Sequence, residues 1–342
     1  MSPNATADDP MPADPIAYFL EDIEYQGKSP RTREAYERVL REYEAYLDSR
    51  DLDVASANHR DCMAYVHQLR GAVGPSTVAT YASYLHRFYD YMMRVGSFDD
   101  NPMTLVLEEI DETINTDPAR RDISLPEMRS FVRDVTHPLH RAVTVTFLKT
   151  GIRAGELSNL DRRDLHLAES MEDAEHRAAI DRRPGSLYVD DEPARGERYN
   201  GETRAASNKR MRATTIPVDS ELDRVLREWL AVRPDPISSA DPLFVSTSDD
   251  WGLRLTPDMI HHIVTGHARR NGWYETGGGP ETNVTPHYFR HFFTTHLRDR
   301  TGDRGVVKYL RGDVAQDVID TYTHDWGGRV RSVYEDHVYS VL

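Results

Sequence analysis

The segment around residue 153 places charged residues directly beside a long apolar stretch. Residues 142–148 carry the apolar positions of a buried helix, and Gly151 can end that helix. Arg153 follows in a short turn before the next apolar segment. A charge in such surroundings is usually anchored, and Glu156 is the obvious partner because residues three apart are neighbours on a helix. An ion pair at a helix end is the simplest interpretation of this segment taken alone.

A second segment, residues 285–297, has the same mixed character. Thr285 and Pro286 have the residue types of a helix N-cap and first helical position. The apolar positions of the following helix recur every four residues and predict an inward face. His287 and Arg290 are three apart and therefore share another face of that helix. The pattern predicts two fixed hydrogen-bond donors at a helix start.

Two further motifs complete an ordered set. Strands are predicted at residues 186–189 and 214–218, and Lys209 lies before the second of them, at or near a hairpin. Tyr322 is followed by Thr323 and His324 near the C-terminus, after apolar positions at helical spacing. Each of these residues alone has an ordinary structural explanation, and only the ordered set favours a functional site.

In order and spacing, these motifs resemble the tyrosine recombinase (phage integrase) family, with Xer-like site-specific recombinases included, over the last two-thirds of the chain. The resemblance implies that Arg153, Lys209, His287 and Arg290 surround a nucleophilic Tyr322. The chemistry agrees with this assignment. Arginine binds two phosphate oxygens at once and keeps its charge, a tyrosine hydroxyl needs help to attack phosphorus, and the leaving 5′-oxygen needs a proton. Lysine releases a proton more readily than arginine does, which suits Lys209 as the acid.

The chain departs from the family at Arg311-Gly312-Asp313, where Leu-Gly-His or Leu-Gly-Trp is usual. An ionised Asp313 only accepts hydrogen bonds and would repel a phosphate. We expect Asp313 to cap the following helix or to orient Arg311, and Arg311 to supply the missing donor. Glu156 and His324 are further accessory candidates.

Some assignments have competitors in the sequence. Lys149, directly before the first motif, is the alternative to Lys209. Tyr334 and Tyr339 are the alternatives to Tyr322 as nucleophile.

The predicted fold class is α+β and mostly α. Helical periodicity before residue 100 predicts four helices with aromatic residues in their core, the last of them extending to Val95. This region resembles the helical SAM-like, core-binding domain of the same family. The expected organisation is a disordered tail at 1–14, a DNA-binding domain at 15–107, a linker at 108–121 and a catalytic domain with a small antiparallel sheet at 122–342. A capping box at Ser124 should start the first helix after the linker.

Charge and composition indicate the salt concentration and the cellular location in which the protein works. The formal net charge is -15, and only four of the 42 basic residues are lysine. Residues 1–118 carry most of the excess negative charge, which leaves the motif-bearing part close to neutral. Many carboxylates with few lysines suit molar salt, where like-charge repulsion is screened, so we expect a halophilic source. No apolar run is long enough for a membrane span, and the polar N-terminus does not resemble a signal peptide, so we expect a cytoplasmic protein.

We expect neither a metal nor another cofactor. Cys62 is the only cysteine, and three histidines on a predicted helix (His261, His262 and His267) are expected to be surface or core residues. A phosphotyrosyl link retains the energy of the phosphodiester, so the implied reaction does not need ATP.

The expected partner is double-stranded DNA, and the resemblance implies a homo-oligomer that is tetrameric in the synaptic complex. The setting is expected to be recombination, such as integration of a mobile element. The segment after Tyr322 could dock on a neighbouring protomer. Two alternatives remain open: relaxation of DNA in the manner of a type IB topoisomerase, and a catalytically weakened DNA-binding protein, which Asp313 favours.

Overall fold

The computed structural model describes residues 13–115, 118–169, 175–313 and 326–342. The chain divides into two compact units, Met1–Asp117 and Pro118–Leu342. None of the helices in the described ranges is both long enough and apolar enough to cross a membrane.

The first unit is helical, and its helices begin where the sequence provides caps. The Ser29 side chain accepts a hydrogen bond from the backbone N–H of Thr32, and Asn58 forms a capping box with Asp61. The predicted aromatic core is confirmed, since the rings on the inner helix faces are buried against one another. The helices are α1 (Pro15–Tyr25), α2 (Pro30–Asp48), α3 (His59–Arg70), α4 (Pro75–Arg94) and α5 (Met103–Glu109).

Two details of this unit differ from the sequence prediction. Val95 was expected on the inner face of α4, but it lies one residue beyond the helix and is exposed. Helix α5 was not predicted, because its seven residues are too few to show a periodic pattern. Met103 and Val106 are its buried positions.

The second unit surrounds a small antiparallel sheet with helices. The capping box at Ser124 and the predicted strand at 186–189 are both confirmed. The helices are α6 (Leu125–Asp134), α7 (Pro138–Thr150), α8 (Ala154–Asn159), α9 (Ser220–Leu230), α10 (Pro257–Arg270), α11 (Pro286–Thr301), α12 (Arg304–Arg311) and α13 (Trp326–His337). The strands are β1 (Leu165–His166), β2 (Ser186–Val189), β3 (Arg198–Tyr199), β4 (Glu202–Thr203) and β5 (Thr214–Pro217).

The sheet order is β1-β2-β5, and Leu187 of β2 lies opposite both Leu165 of β1 and Ile216 of β5. Strands β3 and β4 form a separate short hairpin between β2 and β5. The predicted fold class is therefore confirmed: the protein is mostly helical with a small antiparallel sheet.

The described part of the C-terminal segment, from Trp326 onward, packs into the second unit, and its docking on a neighbouring protomer stays a prediction. Lys149 is fully buried, and its ammonium contacts Asp219 at 2.6 Å, Glu221 at 2.8 Å and the carbonyl oxygen of Tyr339 at 2.6 Å. Val341 is also fully buried. A buried ammonium needs all of these partners, so the last residues complete a polar site inside the unit.

Candidate active site

The end of α7 is pressed against α11 at Gly151. The φ angle of this glycine is 63°, in the left-handed region, and a Cβ placed there would lie 2.3 Å from Cδ1 of Phe293. Only glycine satisfies both conditions. The carbonyl oxygen of Gly151 accepts a hydrogen bond of 2.7 Å from Nη1 of Arg290. This close approach brings the first and third sequence motifs together.

Glu156 fixes Arg153 at the start of α8, as the sequence predicts. The Glu156 carboxylate is fully buried and accepts from the backbone N–H of Arg153 at 2.8 Å and from Nη1 of Arg153 at 2.9 Å. The Arg153 side chain remains 29% exposed, so its guanidinium reaches the surface. The second nitrogen, Nη2, is thereby left to bind another anion.

Arg290 is held more deeply. It is only 2% exposed, and its Nη2 donates to the backbone oxygen of Arg311 at 3.1 Å. Burial, followed by the positive charge of Arg153, lowers the pKa of Arg290 to about 9. The guanidinium therefore keeps its charge at neutral pH while it is positioned from two sides by backbone carbonyls.

Asp313 lies at the meeting point of the arginines. Its Oδ1 accepts from Nη2 of Arg153 at 2.8 Å and from Nη2 of Arg290 at 2.9 Å, and its Oδ2 lies 3.0 Å from the same nitrogen of Arg290. Nε of Arg311 lies 2.8 Å from Oδ2, within ion-pair distance although not in hydrogen-bond geometry. Burial alone would raise the pKa of Asp313, but Arg290, Arg311 and Arg153 outweigh it and hold the pKa below its ordinary value.

Arg210 is a site residue that sequence reasoning missed. Its side chain is fully buried, and Nη2 contacts Glu156 at 3.3 Å and the carbonyl oxygen of Leu310 at 3.2 Å. A Cβ at Gly312, where φ is 70°, would lie 2.7 Å from Nη1 of Arg210. Burial lowers the pKa of Arg210, and the charge of Glu156 opposes this shift. The loop before β5 has no periodicity in the sequence that could have indicated which basic residue turns inward.

Lys209 lies next to Arg210 in the loop between β4 and β5. This loop is fixed on one side by Arg204, which is buried with Asp161 at 2.8 Å, and on the other by Arg210. Lys209 itself is exposed, and within the described ranges its ammonium has no hydrogen bond or ion pair. The structure therefore brings the loop of Lys209 to the site but does not place its ammonium in the arginine cluster. Lys149, the competing candidate, is buried in the ion-pair site described above.

His287 is exposed at the start of α11 and makes no hydrogen bond with any residue that the structure describes. Desolvation by the surrounding protein, and then the positive charges of nearby arginines, Arg120 and Arg290 foremost, lower the pKa of His287. The shift favours the neutral imidazole, which has one ring nitrogen that donates and one that accepts.

Tyr322 and His324 lie outside the described residues. The two competing tyrosines are described, and both are buried. The hydroxyl of Tyr334 donates to the carbonyl oxygen of Lys149 at 2.9 Å, and that of Tyr339 donates to the carbonyl oxygen of Leu148 at 2.6 Å. Burial raises the pKa of both phenols well above the ordinary value. Neither phenol can reach a phosphate on a DNA surface, so neither is suited to be the nucleophile.

Both units of the chain match known protein families. Residues 16–96 match the phage integrase N-terminal SAM-like domain, and residues 126–326 match the phage integrase family. The second match covers more than half of the chain. The chain belongs to the phage integrase family, and it is by that membership a tyrosine-type, site-specific DNA recombinase.

Similar proteins cover nearly the whole chain. Tyrosine recombinase XerC of Pelobacter propionicus is 25% identical over 90% of this chain and 89% of its own length. Tyrosine recombinase XerD of Shewanella oneidensis is 25% identical over 94% of this chain and 95% of its own length.

Two solved structures share the fold. The Tn1549 transposon integrase in complex with transposon right end DNA has a TM-score of 0.62 at 17% identity, over 94% of this chain and 98% of that one. A lambda integrase dimer bound to a COC′ core site has a TM-score of 0.59 at 12% identity, over 93% of this chain and 76% of that one. At these identities the likeness is one of fold.

Proposed function

We propose that this recombinase cuts and rejoins duplex DNA at a phosphate held by Arg153, Arg290 and Arg311, with Tyr322 as the nucleophile. One observation carries the proposal: three guanidinium groups from separate segments of the chain converge on a single point, which Asp313 marks. Arg153 and Arg311 are partly exposed there, so a DNA phosphate can approach the cluster from solvent.

The proposed reaction exchanges one bond to phosphorus for another. The phenol oxygen of Tyr322 attacks phosphorus, the bond to the 5′-oxygen breaks, and a 3′-phosphotyrosyl link forms. Fixed guanidinium groups stabilise the charge that develops on the phosphate oxygens. A neutral His287 can accept the proton of the phenol, and Lys209 can protonate the leaving oxygen once DNA orders its side chain. Attack by a second 5′-hydroxyl reverses these steps and needs no cofactor.

The partner proposed for this reaction is double-stranded DNA, held by a DNA-binding domain at 15–107 and a catalytic domain at 122–342 that a linker at 108–121 joins. Support comes from the similar integrases, which were solved with transposon end DNA and with a core site. The lambda integrase on its core site is a dimer. We propose further that the synaptic complex is a tetramer. We also propose that the protein recombines a mobile element and that it works in the cytoplasm of a halophile.

The test uses a library of nicked duplexes with a randomised core, on which cleavage traps the protein covalently because the short leaving strand diffuses away. Removal of one fixed donor to a developing oxyanion lowers the rate by about 10²–10³-fold, and we expect a loss of this size for Arg290→Lys and Arg311→Ala. Arg298→Lys is the matched control, because Arg298 lies on the same helix and is exposed.

Each alternative outcome of this test has a distinct meaning. An unchanged rate in Arg311→Ala would remove Arg311 from the phosphate site. Relaxation of plasmid DNA without a preferred sequence would favour topoisomerase-like activity. Sequence-specific binding without any covalent product would favour a catalytically weakened DNA-binding protein, for which Asp313 is the motivating observation.

A further inference from the structure

The carboxylate of Asp313 occupies the donor groups that a phosphate would need. Both of its oxygens are engaged, Oδ1 by Arg153 and Arg290 and Oδ2 by Arg290 and Arg311, at 2.8–3.0 Å. These are the distances of charge-assisted hydrogen bonds and close ion pairs. A phosphate oxygen placed on the same nitrogens would collide with this carboxylate.

Arg153 and Arg290 are each held by groups other than Asp313. Glu156 holds the backbone and Nη1 of Arg153, and the carbonyl oxygens of Gly151 and Arg311 hold Arg290. Their arrangement would therefore survive the loss of the Asp313 carboxylate. Asp313 is an occupant of the pocket more than a support for it.

The charges of the cluster favour an anion strongly once this occupant leaves. Four guanidinium groups lie together, those of Arg153, Arg210, Arg290 and Arg311. Among the described residues, the carboxylates that pair with them are Glu156 and Asp313. The Asp313 side chain is 27% exposed, so it has solvent on one side into which it can rotate. Glu156 is fully buried and cannot leave in this way.

We propose that Asp313 is an internal competitor for the phosphate pocket, which excludes free anions and yields only to a phosphodiester that the rest of the DNA interface delivers. Small anions have no other contacts with the protein and compete poorly with a tethered carboxylate. A docked duplex has additional binding energy that can be used for this displacement. Asp313 thereby acts as a specificity-determining residue. This inference rests on the proposed function only for the identity of the natural anion.

The test measures binding of inorganic phosphate to the full chain by calorimetry at constant ionic strength. Asp313→Asn removes the charge at nearly constant shape, and Asp249→Asn makes the same change of charge at an exposed carboxylate. We expect the first variant to bind phosphate at least about tenfold more tightly than the unchanged protein, and the second to bind it equally. Equal or weaker binding by Asp313→Asn would overturn the proposal and make Asp313 a structural clamp.

Asp313→Ser provides an independent comparison if the asparagine amide disturbs folding, which thermal melting reveals. A DNA readout separates this inference from the proposed function. Phosphate should inhibit covalent capture by Asp313→Asn at a concentration at least about tenfold lower than it does for the unchanged protein. Tighter phosphate binding by a protein that never captures DNA would support the competitor and refute the proposed chemistry. Inhibition at the same concentration in both proteins would refute the competitor.

Discussion

Glu156→Gln tests whether the pocket depends on one buried carboxylate. Glu156 contacts two arginines: Arg153, whose side chain is 29% exposed, and Arg210, whose side chain is fully buried. The amide nitrogen of glutamine would face a guanidinium donor, and Arg210 would keep only the carbonyl oxygen of Leu310 as an acceptor. We expect Arg210 to dominate the loss, because Arg153 can regain water.

The expected magnitude follows from the burial of the pair. Removing one partner of a buried ion pair costs about 3–5 kcal/mol, because the other charge stays uncompensated. For a unit of the size of Pro118–Leu342, each kcal/mol lowers the melting temperature by about 2–4 °C. The melting temperature of the second unit should therefore fall by about 6–20 °C.

The assay is differential scanning calorimetry at fixed salt, with Glu228→Gln as the control at an exposed glutamate of α9. The double variant Glu156→Gln, Arg210→Met should recover part of the loss, since it removes the orphaned charge as well. The reasoning is refuted if Glu156→Gln melts within about 2 °C of the unchanged protein, or if the double variant is less stable than the single one by the full cost of Arg210→Met.

Three other predictions concern pH, the C-terminus and salt. Arg270 donates to Nδ1 of His267, so Nε2 of His267 carries the proton that is donated to His140. Burial is the main cause that lowers the pKa of both histidines to about 4. Because the unfolded chain binds protons near pH 6.5 and the folded one does not, the free energy of unfolding should fall as pH drops from about 6.5 to 4. Urea titrations of His267→Gln should show a flatter dependence on pH, and an unchanged slope would contradict the assignment. Truncation of residues 338–342 removes the buried side chains of Tyr339 and Val341 and the carbonyl oxygen that Lys149 contacts. It should lower the free energy of unfolding by at least about 3 kcal/mol, and an unchanged melting curve would contradict this packing. The net charge of -15 should make the protein unfold as salt is removed; a melting temperature independent of salt would speak against a halophilic adaptation.

Features that depend on residues close together in the chain can be predicted from the sequence. The caps at Asn58 and Ser124, the helix end at Gly151 and the pairing of Arg153 with Glu156 each depend on residues a few positions apart, and the structure confirms them. The strand at 186–189 was also visible, because its residues are bounded by turn-forming positions.

Features that depend on long-range packing could not be predicted in this way. The burial of Arg210 follows from the approach of a non-periodic loop to the end of α12, which no local pattern encodes. The departure from the family at Asp313 was visible, but its contact with Arg153 joins segments that are far apart in the sequence. From the sequence, Asp313 is expected to cap a helix or to orient Arg311, and the structure adds its contacts with Arg153 and Arg290.

Peptide mapping of the covalent complex shows whether the arginine cluster and the phenol of Tyr322 act on the same phosphate. After capture on nicked duplex DNA and proteolysis, mass spectrometry should find the nucleotide adduct on the peptide that contains Tyr322, and Tyr322→Phe should bind DNA without forming it. An adduct on a different tyrosine, or capture that persists in Tyr322→Phe, would contradict the account.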